Sequence, residues 1–297
     1  MAKFASAKKL AMDFLSEFDL LRDHLERNEL IKNFVKTKRE EVLESDDKVM
    51  LHVDWAENGT IIVPNEIQTA FYGGRTNYSI HSGYQYAKEN SGGFVSLSDD
   101  PNHRAEAIKA ALDPKVKHLV ENGFKEIIFV SDSPISQYRN GKAAYLTNLW
   151  SKNYGIKIMW IFTESGHGKS SADGINGRIK NLVRDKVLMN PDLVLNNVEA
   201  IKGAIETSIE IFIHTKEDIK RVQQAMPKIG QLTGAIKLHL LIFEDRNIKK
   251  KDLPNEISWK PIRVKIGREI VRTREEVEVA DILNDAVLEP DSHDEDI

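Results

Sequence analysis

Two nearly continuous apolar runs, KVMLHVD at residues 48–54 and EIIFVSD at 126–132, each end in an aspartate. Runs of this kind suit strands buried on both faces, which is the usual state of parallel strands under covering helices. A third run, GIKIMWIFTE, follows the second after a helical stretch over about Tyr138 to Lys152, and a further helix is expected from about Asp173 to Leu188. Strand–helix–strand–helix order predicts parallel strands and an α/β class. Between the first and second runs, TNYSIHSGYQYA and GGFVSLS are rich in aromatic and β-branched residues, and Asn58–Gly59 marks a turn before them. These features predict an antiparallel meander. After SDDPNH a helix is expected to reach Glu121, with Asp99 or Asp100 as N-cap, Pro101 in the first turn and Asn122–Gly123 as its stop.

The sum of these elements is a mixed five-stranded sheet, three strands antiparallel and the rest parallel, with helices on both faces. That is the RNase H-like order. Around this core, at 46–190, the sequence predicts three further regions. Residues 1–45 read as a helical arm, because Leu10, Phe14, Phe18, Leu21 and Leu25 recur at spacings of three and four and a second helical stretch runs to Leu43. Residues 191–284 read as an accessory α/β region, with helices near 197–204 and 216–225 around the strands SIEIFIH and IKLHLLIF. Residues 285–297, EPDSHDEDI included, read as a disordered acidic tail.

Composition narrows the chemistry. The chain of 297 residues is 41% hydrophobic, enough for a sizeable core, and has no apolar stretch of the roughly 20 residues needed to span a bilayer. A soluble intracellular protein is expected. With no cysteine, disulfides, thiolate zinc sites and thiol nucleophiles are excluded. Any metal must be held by carboxylates or histidines, which favours magnesium or manganese. The net charge of −4 hides an uneven distribution: residues 285–297 hold six acids and no Lys or Arg, leaving 42 basic against 40 acidic residues elsewhere. Cations cluster at Lys36, Lys38 and Arg39, at Arg178, Lys180, Arg184 and Lys186, and at Lys249 to Lys251. Such patches are either phosphate-binding surfaces or ordinary solvated faces.

Ligands in open α/β sheets gather at the carboxyl ends of strands, so Asp54 and Asp132 are expected to be neighbours. Two carboxylates in a low-dielectric cleft repel, and either a cation or a shared proton relieves them. Asp173, opening the last core helix, is the third candidate. Glu57 and Glu164 flank strand ends and are expected to be exposed; Trp55, Trp150 and Trp160 lie in apolar runs and are expected in the core. Gln137, Tyr138, Arg139 and Asn140 follow the second aspartate, where they could touch a phosphate backbone.

The segment FTESGHGKSSADGINGRIK admits two readings. As a phosphate loop it offers Gly168, Lys169 and Ser170, but Thr163 stands where that motif needs its first glycine. Alternatively Gly166 and Gly168 shape a tight loop that brings His167 and Lys169 to a substrate, and Asp173 completes an acidic trio.

These blocks together, HVDWAEN, NEIQTAFYGG, SDDPNH, SDSPISQYRN and GHGK followed by Asp173, Gly174, Gly177 and Lys180, resemble eukaryotic transposase-like proteins of the DDE/D RNase H-like superfamily, which includes retroviral integrases. The resemblance spans roughly residues 45–240. It implies a DNA strand transferase or nuclease with Asp54, Asp132 and Asp173 as catalytic, metal-binding residues for two Mg or Mn ions. It also implies His167, Lys169, Arg139 and Lys180 as substrate-facing auxiliaries, DNA as partner, a nuclear site of action, and a homo-oligomer or a separate DNA-binding partner. No cysteine–histidine zinc finger precedes the core. A catalytically inactive, domesticated DNA- or partner-binding protein is the alternative, alongside the nucleotide-binding reading of the loop.

Overall fold

The first apolar run forms the centre of the sheet. The computed structural model of the protein describes residues 7–60, 77–164, 171–190, 192–232, 234–244, 247–264 and 266. Strand β1 (Lys48–Trp55) is buried along both faces, since Val49, Leu51, Val53 and Trp55 alternate with Met50. It pairs antiparallel with β3 (Asn77–Tyr86), which pairs antiparallel with β4 (Gly92–Ser98). On its other side β1 runs parallel to β5 (Glu126–Ser131), and β5 parallel to β6 (Lys157–Phe162). The two-residue β2 (Gly59–Thr60) pairs with β3, so the expected turn residue Gly59 begins a strand instead.

The chain is thus an α/β protein with a mixed sheet. Its central order, β4-β3-β1-β5-β6, is extended at both edges by residues beyond 190. Strand β7 (Glu210–Ile213) adds parallel to β4; β8 (Leu240–Glu244), β9 (Asn247–Lys251) and β10 (Lys260–Pro261) add antiparallel beyond β6.

Side-chain alternation divides the core between two faces. On one, Leu51, Val53, Phe129 and Trp160 pack on α2 (Ala105–Glu121) and α3 (Gly141–Tyr154) through Leu112, Val116, Ala144 and Trp150. Phe129 stacks between Trp150 and Trp160, at centroid distances of 5.9 and 4.6 Å. The expected burial of Trp55, Trp150 and Trp160 is observed. On the other face Ile80, Val95 and Leu97 meet α4 (Ser171–Met189) and α5 (Val198–Ala204), while Met50, Ile128, Val130 and Met159 meet Ile31 and Val42 of α1 (Ala7–Leu43). Helix α6 (Lys216–Ala225) opens with a capping box between Thr215 and Asp218.

Helix boundaries depart from expectation where short polar side chains found other partners. Helix α2 starts at Ala105 because Asp100 Oδ1 accepts from the Asn102 amide and Asn102 Oδ1 accepts from the Arg104 amide, both at 2.9 Å. These two successive turns keep the chain out of helix. Asp99 caps a different element, accepting from Val198 N at the start of α5. Helix α3 starts three residues after Tyr138, where Asn140 accepts from the Ala143 amide. The arm is one helix of 37 residues, about 55 Å long, rather than two. The acidic tail lies outside the described residues.

Candidate active site

The β1–β5 register runs as far as His52 opposite Val130; two residues further it sets Asp54 level with Asp132. Both aspartates therefore stand at the carboxyl end of the sheet, where β1 is flanked by an antiparallel strand on one side and a parallel one on the other. Helix α4 brings the third acid. Ser82, opposite Asp54 in β3, donates to the Ala172 carbonyl at 3.2 Å and lies 3.5 Å from the Asp54 carbonyl. Tyr86, four residues along the same face, shares a 2.6 Å hydrogen bond with Ser171. Two hydroxyls of one strand thus fix the first turn of α4, and Asp173 with it, against the end of β1.

The three acids share one electrostatic field. The Asp54 carboxyl is raised to about 7 by burial first, then by the charges of Asp132 and Asp173, against a backbone hydrogen bond from Trp55. Asp132 is raised to about 6 by burial and by Asp173, against the charge of Arg139. His52 occupies the same face of β1, two residues before Asp54, and burial lowers it to about 4 despite Asp173. His52 went unnoticed in the sequence, although the two-residue period of a strand places it beside Asp54.

Among the described residues, no three His, Asp or Glu side chains form a ready-made metal cage. The donor set nonetheless suits a hard divalent cation. Asp132 Oδ1 is buried with no hydrogen-bond partner, next to two further carboxylates whose charges oppose ionisation. A cation there would satisfy that oxygen and remove the repulsion in one step.

The auxiliaries are placed less uniformly. His167 and Lys169, with the phosphate-loop candidates Gly168 and Ser170, lie outside the described residues. Lys180 projects from α4 into a hollow of about 300 Å³ shared with Asn58, Thr60, Tyr78 and Arg184. Arg139 does not face a substrate. It is 7% exposed, its Nη1 donates to the Leu238 carbonyl at 3.2 Å, and burial lowers its pKa against the charges of Glu164 and Asp132. Glu164 is also corrected from an exposed strand end to a buried hub. Arg27 donates to its Oε1 at 2.7 Å, His24 lies 3.1 Å from Oε2 and His239 lies 3.3 Å from Oε1. Burial raises the Glu164 carboxyl, but the Arg27 hydrogen bond and the surrounding charges outweigh it and leave the pKa low.

Beneath the acids lies a ring cluster that periodicity did not disclose. Tyr138 is buried, shares a 3.0 Å hydrogen bond with His81 Nε2, and is pushed well above the usual tyrosine range by burial and then by Asp54 and Asp132. Trp55 stacks on His103 at 4.4 Å and meets His81 edge-on at 4.6 Å. The residues come from β1, β3 and two connecting segments, so no local spacing could have announced them.

No curated protein matches the sequence. A family model described as Domain of unknown function (DUF8701) matches residues 32–251. The matched span covers most of the chain and contains all three acids together with the strands that position them, and the protein belongs to that family.

Proposed function

We propose that the protein is a metal-dependent DNA phosphodiester transferase or nuclease, built on an RNase H-like core and related to transposases. The observation that carries this reading is the convergence of Asp54, Asp132 and Asp173 on one shared field, with Asp54 raised to about 7 by burial and its two neighbours. Supporting it is the central strand order, with β1, β3 and β4 joined as an antiparallel meander on one side and β5 and β6 parallel to β1 on the other. Magnesium or manganese ions held by Asp54, Asp132 and Asp173 would stabilise developing charge on the phosphate and lower the pKa of an attacking water or 3′-hydroxyl.

The rest falls to the chain itself. The Asp54 and Asp132 carboxyls are both desolvated, Asp132 Oδ1 has no hydrogen-bond partner among the described residues and Asp54 has a backbone hydrogen bond from Trp55, so a cation would displace few strong partners there. Ser82 and Tyr86 hold α4 so that Asp173 stays in range of both. Arg139, fixed to the Leu238 carbonyl, keeps a positive charge near Asp132 and orders the loop that follows it. Lys180 and Arg184, on the next turns of α4, offer cations to a nucleic-acid backbone running past the site.

Magnesium-dependent nicking of duplex and single-stranded DNA by the wild type, lost in Asp54→Asn and Asp132→Asn, is the expected result. Wild-type-level nicking by Asp54→Asn overturns the assignment. Divalent-ion binding by calorimetry that survives in both variants would do the same for the metal site. Binding without turnover would favour the inactive, DNA-binding alternative.

A further inference from the structure

Helix α1 carries two apolar stripes, and only one of them meets the body. Asn28, Ile31 and Val42 are buried, and Phe34 and Val35 pack at the edge of the same cluster. Towards the N-terminus, Leu10, Phe14, Phe18, Leu21 and Leu25 are 48–67% exposed, and every described side chain from Lys9 to Asp23 is exposed. At 3.6 residues per turn, these five residues centre on a line rotated by roughly 80° from the body-facing residues. The exposed stripe is therefore separate from the core contact. It lies on the turns of α1 where every described side chain up to Asp23 is exposed.

We infer that residues 10–25 pair with the same residues of a second copy of this chain, as a short parallel coiled coil. Phe18 and Leu25 take the first apolar position of successive heptads, and Phe14 and Leu21 the second. Phe14 and Phe18 already stack at 6.4 Å, holding both rings on one side of the helix. At about 150–250 Å² per aromatic ring, the four phenylalanines of a dimer account for on the order of half a standard interface.

The flanking charges select the parallel arrangement. Glu17 and Arg22 occupy the positions that parallel strands bring together across the seam, five residues apart in sequence, and Leu10 and Leu15 form the equivalent apolar pair one heptad earlier. An antiparallel pair would set like positions against each other, bringing Arg22 towards Arg22 or Leu15. Both charges are exposed, and among the described residues Arg22 pairs with the exposed Asp19 and Asp23 of its own helix. With little more than two heptads the association is weak, with a Kd of about 1–100 µM.

Sedimentation equilibrium of the full chain should show a reversible monomer–dimer equilibrium. Phe18→Lys should weaken it by at least about tenfold. Glu17→Arg or Arg22→Glu alone should weaken it, and the double reversal should restore it. Because the chain has no cysteine, Phe14→Cys and Leu25→Cys provide unique crosslinking sites. Each should form its own disulfide dimer under mild oxidation, as only parallel, in-register helices allow at both ends. A chain that stays monomeric to about 300 µM, a dimer indifferent to Phe18→Lys, or cysteines that do not self-pair overturns the inference.

Discussion

At Asp54 the folded protein holds a carboxyl whose pKa, about 7, lies above the ordinary 3.8. A carboxyl raised on folding binds its proton more tightly in the native state, so its contribution is complete below about pH 4 and lost as pH rises through 7. Without divalent ions, thermal stability should therefore fall between pH 5 and 8. Asp54→Asn should flatten that slope and raise stability at pH 8 by about 1–2 kcal/mol, after discounting the shift for solvent screening. Added magnesium should raise the wild-type Tm at pH 8 and leave Asp54→Asn unmoved. His214 gives the opposite slope. Its Nδ1 shares a 2.8 Å hydrogen bond with Ser96, its Nε2 is buried without a partner, and burial lowers its pKa to about 4. A depressed histidine contributes stability above about 6.5 that is lost as pH falls towards 4. The difference in urea midpoint between the wild type and His214→Gln should therefore grow in favour of the wild type as pH rises from 4 to 7.

Among the elements, α3 is the least tolerant of change at its start. A Cβ added at Gly141 would stand 2.2 Å from the backbone oxygen of Gly230, which has no flexible end to move aside. Gly141→Ala should cost more than about 2 kcal/mol in urea denaturation, whereas Asn140→Ala, which removes the cap and the two hydrogen bonds that the Asn140 amide donates to the Ile135 and Gln137 carbonyls, should cost about 1–2 kcal/mol. The same scale shows what could be read from the sequence. The mixed sheet was legible because KVMLHVD, EIIFVSD and KIMWIF carry continuous apolarity and the intervening segments carry helical period. The helix starts were less legible, because Asp100 and Asn102 form local turns that compete with capping. Of the site, the placement of two aspartates at neighbouring strand ends followed from pattern. The burial of Arg139 and Glu164 did not, because both depend on partners roughly 100 or more residues away in sequence. The Trp55–His81–Tyr138 cluster was hidden for the same reason.

Across the whole molecule, one buried carboxylate ties the long helix to the sheet. Glu164, just beyond β6, accepts from Arg27 and sits within reach of His24 and His239. Removing it leaves Arg27 without that partner and loosens α1 beside the end of β6, while Ile31 and Val42 stay packed on the sheet. Glu164→Ala should lower stability by about 2–4 kcal/mol and speed proteolysis within residues 7–27, while the central strands keep slow amide exchange. Among the described residues no helix is long and apolar enough to cross a membrane.

The position of that tie also sets a mechanical ratio. About 30 Å of rigid helix extends from Arg27 to Ala7, so a 10° tilt about Glu164 sweeps the tip through about 5 Å. At the fulcrum itself the same tilt displaces atoms only slightly, beside the arginine that supplies the positive charge near Asp132. Whatever grips the far end of this lever therefore exerts its torque against the end of the sheet that carries the acids.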